Sequence, residues 1–232
     1  MRRIIILLLF ILFPTFIVLK GRSAGNDVPK PSSNPTVYCT LLYQQMDLEG
    51  VVNWEAFRQA VTGYLKIQKR KKDVLTLIDF SKPSTEKRLY VFDMKAKKML
   101  FCSVVSHGKN SGENYATSFS NESGSHKSSL GFYLTDVTYS GRNGYSLILD
   151  GLEKGINDRA RERAIVMHGA AYADPSVTRM GRLGRSFGCP AVPRSLNKPI
   201  IDAIKGGSVM FIYAGSKDYL AHSSILSSDD LG

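Results

Sequence analysis

Marked only as apolar or polar, the chain changes rhythm four times. Ile4 to Leu19 is an almost unbroken apolar run. Ser23 to Thr36 is rich in Pro, Ser and Asn, with no periodicity, and reads as a flexible linker. Thr36 to Met46, and then Trp54 to Gln68, repeat apolar residues at helical spacing. In the second segment Asn53 is placed to cap a helix whose face is Trp54, Phe57, Val61, Tyr64, Leu65 and Gln68. From Val74 onward the period shortens. Val74–Phe80, Arg88–Met94, Lys98–Ser106, Leu130–Gly141, Tyr145–Leu152, Ala164–Gly169 and Ser208–Tyr213 are short runs of β-branched and aromatic residues between turn signals, and each predicts a strand. Asn197 and Gly206 bracket a short helix as cap and stop. The interval His107–Ser129 has no period at all, and a loop of that length in a compact domain is usually functional or mobile.

This pattern predicts a mainly β domain with a small N-terminal helical extension. The expected divisions are a signal peptide at 1–24, a linker at 25–35, helices at 36–72, a catalytic domain at 73–215 and a frayed tail at 216–232. Arg2 and Arg3 before the apolar run, and small residues at Ser23 and Ala24 after it, give the order of an export signal. The alternative is a retained anchor helix. The run of 16 residues, interrupted by Pro14, is short for a membrane span.

Charge narrows the partners. The formal net charge is +11, and loss of Arg2, Arg3, Lys20 and Arg22 with the signal leaves about +7. A basic exported protein suits contact with an anionic cell envelope. No nucleic-acid motif accompanies the charge, so nucleic acid is not an expected partner. The basic run Lys66–Lys72 reads as the solvated end of a helix.

Three cysteines in an exported chain leave at least one free or paired with another chain. Cys102 alternates with Leu100 and Val104 and reads as a packed apolar residue; a Cys39–Cys102 disulfide stays open. Cys189 lies instead between Gly188 and Pro190, in "GRLGRSFGCP". A thiol needs a base or a neighbouring cation to act as a nucleophile. His168 ends an apolar strand, and the 20 residues between the two are enough to bring the cysteine back over that strand. Arg179, Arg182 and Arg185 are expected to make the mouth electropositive and to attract a carboxylate. A zinc site lacks the required spacing, and the glycines match no nucleotide-binding pattern.

At these residues the sequence resembles a family. His168-Gly169, 16 residues, then Ser186-Phe187-Gly188-Cys189 is similar to the signature of the L,D-transpeptidase catalytic domain, the YkuD-like fold. "LTLIDFSK…EKRLYVFD", "VVSHGK", "SSLGFYLT" and "GGSVMFIY" match further family segments in order, so the resemblance runs from about Val74 to Tyr213. It implies a β-sandwich or barrel-like sheet with short helices and an exported enzyme, in the periplasm or cell envelope, that acts on peptidoglycan peptide stems. Cys189 would form a thioester with the third stem residue, terminal D-alanine would leave, and a neighbouring amine would take the acyl group. No cofactor is implied. By the same match His168 is the base, the Gly169 carbonyl orients its ring, and the backbone of Gly188 and Cys189 receives the oxyanion. Ser186, Arg185, Tyr172 and His107 are the expected substrate-binding residues. Phe187 departs from the family's second histidine, and Pro190 and Ala191 depart from its apolar residue followed by Arg or Asn, a role that Arg185 or Arg194 is placed to fill. A carboxypeptidase or other wall-directed thiol hydrolase, and a non-catalytic wall-binding module on the same scaffold, remain alternatives.

Overall fold

The computed structural model describes residues 35–226. The export signal and nearly all of the linker lie outside the described residues. Among those described, no helix is long and apolar enough to cross a membrane.

Two helices come first, α1 (Pro35–Gln45) and α2 (Trp54–Lys66). Asn53 caps α2 through a bond from Ala56 N–H to its side chain, 3.1 Å. The helix buries Ala56, Phe57, Ala60, Val61 and Tyr64 against the sheet. Gly63 makes this packing possible: a β-carbon there would sit 2.0 Å from the Phe132 ring. The helical segment is therefore part of the core, which it shares with the strands.

Seven strands coincide with the expected runs: β1 (Val74–Asp79), β2 (Leu89–Asp93), β3 (Lys98–Ser103), β4 (Gly131–Gly141), β5 (Gly144–Gly151), β6 (Val166–Ala170) and, last in the chain, β8 (Val209–Tyr213). The remaining strand, β7 (Ala191–Pro193), has only three residues, too few to leave a periodic signal. They form one eight-stranded sheet in the order β3-β2-β1-β8-β4-β5-β6-β7. The sheet is mostly antiparallel, but β1 runs parallel to β8 and β6 parallel to β7. Just past β3, Ser106 exchanges both backbone hydrogen bonds with Ala191, at 2.8 and 3.3 Å, and so draws the two ends of the sheet towards a barrel. Two further bonds, Ser186 N–H to His107 and Lys109 N–H to Ser186, extend this seam.

Two expectations are corrected here, and one open question is answered. Asn197 does not cap the next helix, α3 (Arg194–Ile204), which starts three residues earlier. Asn197 is buried inside it and donates to the Tyr145 carbonyl at 2.7 Å. The described part of the tail, to Leu226, is ordered. A short helix, α4 (Lys217–His222), lies within it, with Tyr219 and Leu226 buried. What holds it is Glu153, wholly buried, whose carboxylate accepts from Phe132 N–H at 2.7 Å and from the Tyr219 hydroxyl at 3.0 Å. Finally, all three cysteines are free thiols, so Cys39 and Cys102 are not bridged.

Candidate active site

The segment Ser186–Pro190 crosses the barrel seam and delivers Cys189 to the start of β6. Its sulfur accepts the Val166 N–H at 3.5 Å, and its S–H donates to the Ala164 carbonyl at 3.7 Å. Ala164 reaches that position with φ +54, a left-handed backbone uncommon for alanine. Gly188 takes φ +122, and a β-carbon there would meet the Lys127 carbonyl at 2.9 Å, so this position tolerates only glycine. Ser186 Oγ donates to the Cys189 carbonyl at 2.6 Å and accepts Gly188 N–H at 3.1 Å. Ser128 Oγ donates to the Gly188 carbonyl at 3.0 Å.

His168 lies two residues along the same strand from Val166. Its backbone N–H reaches the Pro190 carbonyl at 3.4 Å, so the residue beside the thiol is tied to the histidine. Its Nδ1 is 3.2 Å from the Gly169 carbonyl. A proton on Nδ1 satisfies that contact and leaves the Nε2 lone pair free. Burial lowers the pKa of the ring below the usual imidazole value. For Cys189, burial raises the thiol; the Val166 N–H and then Arg163 pull it back only in part. The resting group is therefore a thiol, with S–H turned to Ala164.

The structure separates the expected substrate-binding residues. Tyr172 lines a cavity of about 380 Å³ beside His168, together with Arg142, Asn143 and Arg194. Both arginines are exposed, and neither has a hydrogen-bond or ion-pair partner among the described residues. Burial pushes the Tyr172 hydroxyl up to about 12. The other three are committed elsewhere. Ser186 spends its hydroxyl inside its own loop. Arg185 donates to the carbonyls of Lys109 and Gly112 at 3.0 and 2.9 Å and pairs with Glu113 at 2.7 Å. Arg182 joins the same carboxylate at 2.9 Å. Two of the three arginines expected at the mouth are thus engaged by Glu113, a residue inside the unpatterned loop whose partners no local pattern reveals. His107 is fully buried, with Nδ1 accepting from Arg88 at 2.8 Å and Nε2 facing the Gly112 carbonyl at 3.2 Å. Burial and then the Arg88 charge drive its pKa down to about 4. It is a packing residue and no substitute base.

The long loop is pinned rather than free. Arg163, from the turn before β6, donates to the Ser120 and Lys127 carbonyls, both at 2.7 Å, and to Ser129 Oγ at 2.6 Å. Phe187, exposed at 65%, stacks on His126 of that loop at 4.4 Å, with Lys109 over its ring at 5.0 Å. Sequence reasoning missed Arg163, Val166 and Ser128. Only the position of Arg163 just ahead of the histidine strand hinted at it. A larger cavity, about 570 Å³, lies elsewhere, around Phe119, Lys154 and Tyr219. It contains neither Cys189 nor His168, whereas the smaller one is lined by His168.

A family model for the L,D-transpeptidase catalytic domain matches residues 48–213, from just before α2 to the end of β8. The chain belongs to that family. The match begins upstream of Val74 and takes in α2, in keeping with the packing of that helix into the core. The L,D-transpeptidase fold is also found in solved structures. An L,D-transpeptidase from Mycobacterium smegmatis is 14% identical, with a TM-score of 0.39, over 61% of this chain and 59% of its own. One from Stackebrandtia nassauensis is 14% identical, with a TM-score of 0.36, over 76% of each chain. The helical cell shape determining protein Pgp2 of Campylobacter jejuni is 14% identical, with a TM-score of 0.41, over 64% of this chain and 50% of its own. The chain spans about three fifths of the length of the first of these. No curated protein matches the sequence.

Proposed function

We propose that this L,D-transpeptidase family member is exported and cross-links peptidoglycan tetrapeptide stems through a thioester on Cys189. The observation that carries the reading is that one strand, β6, carries both the amide that holds the Cys189 thiol, Val166 N–H, and a neutral imidazole turned by the Gly169 carbonyl. In the first half-reaction His168 takes the thiol proton, and the sulfur attacks the carbonyl carbon of the third stem residue. The Cys189 N–H, already turned towards its own sulfur, receives the oxyanion. Gly188 N–H is held by Ser186 and joins only if that bond is released. The tetrahedral species collapses, the C–N bond to terminal D-alanine breaks, and the imidazolium returns the proton to the departing amine. In the second half an amine from a neighbouring stem attacks the thioester, loses its proton to His168, and frees the thiol. The exposed Arg194 and Arg142, beside His168, are suited to the stem carboxylate that was first assigned to Arg185.

The experiment is incubation with purified tetrapeptide stems, read by intact and product mass. The expected result is an acyl adduct on Cys189 and a cross-linked dimer, both lost in Cys189→Ala while circular dichroism is unchanged. Shortened monomer without dimer would make water the acceptor and the protein a carboxypeptidase. An adduct on Cys39 or Cys102 would end the assignment.

A further inference from the structure

We propose that Arg163 is a positioning residue of the reaction: its guanidinium clamps the loop Ser120–Ser129 over the site and keeps a positive charge beside Cys189 that favours the thiolate. The inference rests on Cys189 being the nucleophile and goes beyond the His–Cys pair. Every other arginine near the cysteine is turned away from it. Arg182 and Arg185 face Glu113, and Arg194 and Arg142 line the cavity by His168. Arg163 faces the cysteine loop itself: its Nη2 is 3.5 Å from where a Gly188 β-carbon would stand. Two features of the local chain put it there. The left-handed Ala164 lets its carbonyl reach the Cys189 sulfur while the Arg163 side chain reaches the backbone of Gly188. Then β6 begins, and its first amide also points at that sulfur.

The guanidinium has a planar fork of donors, and this site uses both of its terminal nitrogens. Nη1 bonds Ser120 and Ser129; Nη2 bonds Lys127 and, at 3.3 Å, Ser125. Four of those partners are neutral oxygens and none is a carboxylate. The charge is therefore not cancelled by an ion pair, and it remains available to a thiolate. That contrasts with Arg185, whose charge is paired. The charged and titratable groups around Arg163 are Cys189, Tyr133 and Arg159. Those around Cys189 are Arg163, His168 on its strand, and Tyr172 from the cavity side. His126 and Lys109 are occupied by the Phe187 ring. Arg163 is thus the cation that both acts on the sulfur and holds the loop. A seated loop and an ionisable thiol thus belong to one state.

The test is the pH dependence of Cys189 alkylation by iodoacetamide, followed by peptide mass, with backbone hydrogen exchange of residues 118–128 measured alongside. The protein is the full chain. Arg163→Lys keeps the charge and loses the fork; Arg163→Gln loses both. Both should speed loop exchange. Only Arg163→Gln should move the alkylation midpoint upward, by about one pH unit above Arg163→Lys, which is about tenfold slower reaction at neutral pH. Comparing the two variants at equally loosened loops removes the effect of access. Coincident midpoints would overturn the proposal and leave Arg163 a loop staple. If Arg163→Gln does not fold, Arg163→Met takes its place; failure of both, with Arg163→Lys folded, also overturns it. A wild-type thiol that alkylates as expected but is never acylated by stem peptide would instead sink the proposed function and leave this coupling standing.

Discussion

His107 and His168 show how two buried imidazoles of one chain are given different work. His168 has one ring nitrogen satisfied and the other free; His107 has both engaged, one by a buried guanidinium. A base must have a lone pair to use, so only His168 can serve. The depressed pKa of His107 has a consequence for stability. In the folded protein His107 stays neutral down to about pH 4, whereas an unfolded histidine binds a proton near 6.5. Unfolding takes up a proton between those values, so stability is full above 6.5 and falls as pH drops towards 4, by up to about 3 kcal/mol. Buried Asp79 and Glu153, raised by desolvation, act in the opposite direction, so the comparison must be with a variant. In His107→Gln, urea unfolding at pH 4.5 and pH 7 should differ less than in wild type, with the Cys189 alkylation profile unmoved. At the same scale, Arg194→Ala should raise KM for a stem bearing a free carboxylate by roughly tenfold, the worth of one charge-assisted hydrogen bond. It should leave kcat and the thiol profile alone; an unchanged KM would remove Arg194 from substrate capture.

The unpatterned stretch between β3 and β4 is the element on which the reading of the sequence was least informative. Strand runs were legible because alternation survives wherever one face is buried. The histidine and cysteine were legible because their flanking glycines mark close backbone approach. The loop's order comes instead from single polar contacts with remote partners: Glu113 with Arg182 and Arg185, Ser128 with Gly188, and Arg163 with four oxygens. Such contacts have no period, so composition alone suggested a free lid and an accessible Arg185. β7 was missed for a related reason, since three residues cannot show alternation, and α3 was started late because its true first turn begins after a proline. The corrected role of Arg185 is testable. Arg185→Ala should cost about 1–3 kcal/mol in chemical denaturation, as expected for a charged donor lost from a half-buried site. It should also expose 109–113 to protease. A large rise in KM with full stability would restore the substrate-binding role.

In the whole molecule, one sheet organises both core and chemistry. Its central strands, β1, β8 and β4, carry the large buried aromatics Phe132 and Phe211, stacked at 4.2 Å. Its two ends are held together by four backbone bonds, and the cysteine loop is strung between the anchor points Ser186 and Ala191. Local openings are cheapest where few hydrogen bonds and little apolar surface are lost. The seam is such a place, and the centre of the sheet is not. Opening it leaves the helices and most strands in place but strips the sulfur of its surroundings. Mild denaturant should therefore abolish the proposed activity while circular dichroism still reports a folded protein, with the inactivation midpoint below the unfolding midpoint. The same sparing attachment that makes the working edge the first part to fail also makes it the part that can be mended, because a chain that has lost only its seam has little left to refold.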